Sequence, residues 1–436
     1  MLRMTSCVCS VVVLSWACAL SVVAQEDLRG EPAMPTTGPV ARAIVESQPS
    51  PTSFPATAAP AASTSWPPGL LMDGLDKIGV REPMDKLGLR VWGFEEAGFT
   101  GNLTNGQDTL FGHVFDARRV NNVRQNQLRL TMDRPYDAGK SFDLGFRVDG
   151  LFGGDAMLTH SPGLLDDCGH GQGDCWADVL QAYGQMWFKT GESSGLEITA
   201  GKFVTTHGVE VIDATGNPLY SHSFLFGYAI PFTHTGVKAN YVWNANFSTY
   251  FAIVQGWEVF NDNNSAHSYM AGGAWTSSEQ IGGHAKDLVY FNVITGPEQD
   301  HNESDFRTVV DATYTHWWSE KLSQSINGDW GTEQNVAGIG QANWYGVAHY
   351  LTYAFNDKVS ATWRAEWFAD DSGARIGVPG NYVENTVGLW LTPWPEHPVL
   401  KNLSLRPELR WDHSDQAVFG NDHDQMTVAM DLIFKF

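Results

Sequence analysis

The stretch "LSLRPELRWD", residues 403–412, alternates without a break: Leu403, Leu405, Pro407, Leu409 and Trp411 fall on one side of an extended chain, and Ser404, Arg406, Glu408, Arg410 and Asp412 on the other. Successive side chains of a strand point to opposite faces, so this segment has one apolar face and one face carrying charges of both signs. The closed core of a soluble sandwich also gives alternation, but with shorter strands and without a run of Trp and Tyr at strand ends. Lipid against the apolar face and water against the charged one fits better. The same pattern recurs in "QLRLTMD" (127–133), "FDLGFRVDGLF" (142–152) and "VSATWRAEWF" (359–368). It returns in the closing "MTVAMDLIFKF" (426–436), where Met426, Val428, Met430, Leu432, Phe434 and Phe436 share a side. A terminal strand that stays apolar to its last residue is anchored rather than frayed.

Sixteen such segments can be marked, near 88–100, 124–134, 140–152, 178–189, 194–203, 232–243, 246–256, 268–277, 286–296, 305–317, 321–332, 342–354, 358–369, 381–392, 402–412 and 424–436. Their length is what a tilted strand needs to cross a bilayer. Odd-numbered links are mostly long and even-numbered links mostly short, such as "PYDAG", "TGESS" and "WNAN", which is the loop pattern of outer-membrane barrels. The expected fold is therefore all-β, a transmembrane antiparallel up-and-down β-barrel of about 16 strands, with 14 or 18 as alternatives because segments eight to ten are the weakest. Trp243, Trp257, Trp317, Trp318, Trp390 and Trp394 lie near strand ends, as an interfacial girdle would.

Composition agrees. Gly 44 and 12% aromatic residues with only 17% charged residues suit many strands and tight turns, and a mean hydropathy of -0.23 is compatible with a barrel whose interior is wet. A formal charge of -22 argues against nucleic acid as a partner. Arg3, the apolar run Val11–Val23 and the small residues Val22-Val23-Ala24 have the form of a secretory signal peptide over residues 1–24. Residues 25–70 hold nine of the 20 prolines among Ala, Ser and Thr, a linker that cannot bury a core, and 71–87 forms a short amphipathic segment before the barrel at 88–436. Removal of the leader would leave Cys168 and Cys175, expected to form a loop disulfide in an oxidising compartment.

The block "GKFVTTHGVEVIDATGNPLYSHSFLFGYAIPFTHTGVKANYVW", residues 201–243, resembles the central region of β-barrel porins of the OmpL-like type, in Gly201-Lys202-Phe203, Gly208 with Glu210, Asn217, Tyr220-Ser221-His222-Ser223, Pro231 and His234-Thr235-Gly236-Val237. "VWGFEEAGFTGN", residues 91–102, is similar to that family's first strand. The resemblance implies a channel in the bacterial outer membrane for small hydrophilic solutes or ions, with no enzyme activity and no cofactor or metal. It also implies a homotrimer and lipid around the wall, Phe436 resembles the signal read by barrel-assembly machinery in bacterial outer-membrane proteins, and an even number of strands puts both chain ends, and so the N-terminal linker, in the periplasm. A non-conducting barrel with a structural or enzymatic role is the alternative.

Within that frame the pore-lining candidates are the charges on the polar faces: Arg129, Asp143, Arg147, Asp149, Asp311, Arg364, Glu366, Arg406, Glu408, Arg410 and Asp412. Opposed charges along a pore set a transverse field and tune ion preference. Loop 204–230 is unusually apolar for a segment facing water, and one expectation is that it folds into the barrel as a constriction, with Asp213, Tyr220, His222 and Phe224 as candidates. The other is that it packs over the rim or against a neighbouring subunit. Neither His207, His222 and His234 as metal ligands nor Ser221 with His222 and Asp213 as a hydrolytic set has motif spacing.

Overall fold

The computed structural model describes residues 69–104, 110–115, 120–166 and 176–436. The expected signal peptide, nearly all of the linker, and Cys168 and Cys175 lie outside the described residues. Two short helices, α1 (Leu70–Lys77) and α2 (Arg81–Leu87), lead into the first strand, and Gly88 takes the left-handed backbone (φ 69°) that ends α2.

The strands are β1 (Arg90–Asn102), β2 (Val123–Arg134), β3 (Phe142–Gly153), β4 (Trp176–Lys189), β5 (Gly195–Val204), β6 (Thr233–Asn244), β7 (Phe247–Val254), β8 (Ser268–Thr276), β9 (Gln280–Ile281), β10 (His284–Ala285), β11 (Asp287–Pro297), β12 (Phe306–Trp317), β13 (Leu322–Val336), β14 (Gly340–Asn356), β15 (Val359–Asp370), β16 (Gly380–Leu391), β17 (Leu403–Ser414) and β18 (Asp424–Lys435). All but β9 and β10 form one closed antiparallel barrel of 16 strands in which each pairs with its neighbour in sequence and β1 pairs with β18. The fold expected from periodicity is the fold observed. Closure leaves no edge whose N–H and C=O groups would face hydrocarbon.

The seam is tight. Gly93 and Phe436 exchange backbone hydrogen bonds of 2.9 Å in both directions. A Cβ on Gly93 would stand 2.3 Å from the Arg129 carbonyl oxygen and 2.8 Å from the Phe436 ring, so this position must be glycine for the last residue to close the barrel. Elsewhere the ladder records a sequence defect: β16 and β17 pair up to Gly388↔Glu408 and resume at Leu391↔Leu405, and Pro407, which has no N–H to donate, lies in the gap.

Three links depart from the long–short rhythm. The even-numbered link 277–286 carries the two-stranded ribbon β9–β10, the even-numbered link 392–402 is long and holds a 3-10 turn, and the odd-numbered link between Val336 and Gly340 is a tight turn with Asn335 and Gly338 at positive φ. Outward faces are apolar, with Phe251, Phe291, Trp330, Val347, Trp363 and Leu409 among the exposed side chains. The main cluster of buried apolar residues lies inside the barrel and combines strand residues (Tyr250, Met270, Ile294, Trp344, Phe368, Tyr382) with residues of the β5–β6 connection (Phe224, Leu225, Phe226, Ile230).

Candidate functional site: a lumen crossed by the β5–β6 loop

Residues 205–232 join β5 to β6, and the two ends of the loop are zipped by Thr205 N–H donating to the Phe232 carbonyl (2.9 Å). Between them the chain is irregular apart from one 3-10 turn, Ala214–Gly216, and one wide turn, Leu225–Ala229. Leu219, Tyr220, Phe224, Leu225, Phe226 and Ile230 are each at most 3% exposed, which places the loop inside the barrel rather than over its rim. Burying side chains of this size is worth roughly 1.5–3 kcal/mol each. The wall makes room for them: a Cβ on Gly98 would stand 2.3 Å from the Tyr220 hydroxyl oxygen, and one on Gly388 2.5 Å from Leu219 Cδ2.

An irregular segment has no ladder of its own, so its N–H and C=O groups need partners wherever water is excluded. Inward-facing side chains of the strands supply them. Glu366 on β15 accepts from the N–H groups of Phe224 and Leu225, both at 2.6 Å. Glu408 on β17 accepts from Tyr220 and Ser221 (2.9 and 3.1 Å). Arg406 donates through one nitrogen to the carbonyls of Ala214, Asn217 and Leu219 (2.9, 2.7 and 2.8 Å) while its Nε holds Asp431 at 3.0 Å. Arg410 donates to the His222 carbonyl (2.6 Å), and Arg364 to the Ser221 carbonyl and the Glu210 carboxylate (both 2.6 Å). On β12 and β13, Asp311 and Asn327 accept from Gly208 and Val209 (both 3.1 Å). On β2, Gln127 donates to the Ile212 carbonyl (2.7 Å).

The loop also organises itself. Asn217 accepts from Val211 N–H (2.9 Å), Asp213 caps the turn by accepting from Thr215 N–H (3.1 Å), and His222 stacks on Phe226 with ring centroids 4.5 Å apart. Burial works against the Glu210 carboxylate, but Arg364 and the Ser223 N–H more than compensate and hold its pKa below the usual carboxylate value. Burial, reinforced by His234, pushes His207 down to about 3, so its imidazole is neutral.

Of the charges singled out from sequence, Asp311, Arg364, Glu366, Arg406, Glu408 and Arg410 therefore touch the loop. The others pair along the wall: Arg129 and Arg147 both reach Asp149 (2.7 and 2.9 Å), Asp143 meets Arg134 (3.2 Å), and Asp412 sits between Arg410 (2.8 Å) and His113 (3.1 Å). Tyr220, His222 and Phe224 are buried in the lumen, Asp213 is half-buried in the same loop, and Phe436 lies in the closing seam. Sequence reading missed Gln127, Asn327, Glu384 and Asp431, although each occupies an inward position of its strand and alternation alone could have found them. A small recess remains on the β4–β6 wall, lined by Gln181, Tyr183, Gln185, Glu197, Thr199 and Lys238 among others. Among the described residues no group of three or more His, Cys, Asp or Glu side chains is arranged to hold a metal ion.

Residues 88–436 match the family described as "Putative beta-barrel porin-2, OmpL-like". The chain belongs to this porin family. The barrel of this porin is similar to that of the anion-selective porin from Comamonas acidovorans (TM-score 0.53, 10% identity, covering 80% of this chain and 99% of that one). It is also similar to the outer-membrane channel DcaP of Acinetobacter baumannii (TM-score 0.50, 12% identity, 80% and 97% covered) and to OprB of Pseudomonas putida (TM-score 0.50, 11% identity, 83% and 97% covered). At such identities the likeness is one of fold. No curated protein matches the sequence. Family and fold together make this an outer-membrane porin barrel; its relatives are porins, not enzymes.

Proposed function

We propose that this porin gives small hydrophilic solutes or ions a passive route across the bacterial outer membrane, and that the loop 205–232 sets the width of that route. The termini and short turns then face the periplasm, placing the linker 25–70 there, and the protein works as a homotrimer delivered by the barrel-assembly machinery. The observation that carries the reading is a closed barrel crossed by a loop fastened to the charged residues of its wall. A charged wall that holds an obstruction still leaves a polar lining beside it, and ions and neutral solutes would pass there according to size and field. The completeness of packing around the clamps, where Arg364, Arg410, Glu384 and Asp412 are each 0% exposed, favours a second reading in which the barrel is closed at rest.

Liposome swelling separates the two. Proteoliposomes of the wild-type porin should swell in a small sugar and fail to swell in a large one. Swelling in neither, with the barrel folded, would replace the open-route reading by the closed one.

A further inference from the structure

Several buried carboxylates of the lumen are matched with arginines: Asp149 with Arg129 and Arg147, Glu384 with Arg364, Asp431 with Arg406. Asp311 on β12 and Asp329 on β13 follow another plan. They stand directly opposite each other in the β12–β13 ladder and are 0% and 5% exposed. Their carboxyl groups hydrogen-bond to each other, and Asn327 Nδ2 donates to both, at 2.9 Å from Asp311 and 3.4 Å from Asp329. Asn292 adds a second amide donor to Asp311 (2.7 Å). The partners of the pair are thus amides rather than cations. Two carboxylates in contact and shielded from water do not both ionise, so the pair holds one proton between them.

The surrounding groups bring no spare positive charge. Glu366 of β15 adds a negative one. Glu210 of the loop and Arg364 of β15 are paired at 2.6 Å, Tyr250 of β7 and Tyr350 of β14 carry phenols, and His207, the residue before Gly208, is a neutral imidazole.

The pair is also fastened to the loop. Gly208 N–H donates to Asp311, and Val209 N–H donates to Oδ1 of Asn327, the amide that bridges the two carboxyls (both 3.1 Å). The wall behind is stiff, because β12 and β13 pair without a break from Arg307↔Glu333 to Trp317↔Ser323. Residues 208–212 have no regular structure. Strain that arises at the pair is therefore relieved on the loop side, where the fewest backbone bonds must break.

We propose that Asp311 and Asp329 form a proton-operated latch on the loop: sharing one proton they hold Gly208 and Val209 against the wall, and loss of that proton to water parts the two carboxylates and frees this end of the loop. Water then enters between loop and wall and hydrates both charges. The latch is fastened in acidic and neutral medium and released as the medium turns alkaline. It regulates the route proposed above and rests on that reading for its effect on current, but the motion of the loop can be read without any current.

Hydrogen exchange over residues 206–212, followed by mass spectrometry on the full-length protein in detergent micelles, tests the latch itself. With the intrinsic effect of pH on exchange divided out, protection in the wild type should fall by about tenfold between about pH 6 and about pH 9. In Asp329→Asn, which keeps the shape and a bond to Asp311 but has no second proton to lose, protection should stay level. Glu298 titrates in both chains, so the difference between them belongs to the pair. Equal losses in the two chains, or no loss in the wild type, would overturn the proposal. Heat-modifiable gel migration checks folding, and should Asp329→Asn not fold, Asp329→Ala, which removes the second carboxyl outright, takes its place with the same expected result. Single-channel current over the same pH range separates latch from route: wild-type steps should grow by about twofold, and those of Asp329→Asn should not. A wild type that shows the exchange difference but conducts at neither pH would remove the channel and leave the latch. A conducting wild type whose loop loosens while its steps stay the same would overturn the claim that the latch widens the route.

Discussion

The lumen has two walls built to different plans. Inward positions of β15–β17 carry seven charged residues (Arg364, Glu366, Glu384, Arg406, Glu408, Arg410, Asp412), whereas those of β7, β8 and β11 are mostly neutral or apolar (Tyr250, Ala252, Val254, Met270, Ala274, Ile294). Both walls meet the same loop. The charged wall holds its backbone, and the apolar wall shares a packed cluster with its side chains. Six of the sequence-derived candidates satisfy peptide groups of the loop that would otherwise be buried unpaired.

The largest effect should come from breaking the charged wall at Arg406. Arg406→Met would strand Asp431 and three loop carbonyls, and removing one partner of a buried pair costs about 3–5 kcal/mol. Urea unfolding in detergent micelles measures this, and a shift near zero would mean that the loop is not held there. Glu366→Gln, which keeps shape but loses the charge that accepts two N–H groups, should cost less, about 1.5–3 kcal/mol for bonds to a charged group, and should make single-channel current noisier as the Phe224 turn loosens.

The loop end of the barrel adds a pH test. Glu298, which accepts from Trp257 N–H at 2.8 Å, has its pKa pushed up to about 7 by burial, partly offset by Ser268 and Arg307. A carboxyl whose folded pKa is raised stabilises the fold fully below its unfolded value near 4.5 and loses that contribution as pH rises through about 7. Unfolding midpoints should therefore fall between pH 5 and pH 8 by an amount on the order of 2 kcal/mol, and Glu298→Gln should flatten the slope. The smallest effect belongs to the neutral wall: Tyr250→Phe, losing hydrogen bonds to Thr206 and Asn292 (2.7 and 3.1 Å), should cost about 1 kcal/mol with conductance unchanged. A conductance change as large as that from Glu366→Gln would erase the distinction between the walls.

Period-two alternation was enough to read the barrel, because lipid outside and polar groups inside tie every second residue to one environment. It placed the ends of β17 and β18 within two residues and gave 16 strands. The loop was half legible: Phe224, Leu225 and Phe226 are too apolar for water, but nothing local says whether such a segment turns inward. The role of Arg406 was not legible at all. Its partners are backbone carbonyls up to 192 positions away in sequence, and a carbonyl leaves no mark in residue type. The packing of His113 against Asp412, 299 positions apart, was hidden for the same reason.

Single-channel recording in a planar bilayer tests the central claim most directly, by comparing the wild type with a barrel lacking residues 213–226. If the loop clamped to the charged wall sets the width of the route, the shortened porin should show ohmic steps several-fold larger than the wild type. Equal steps from two folded barrels would contradict the account.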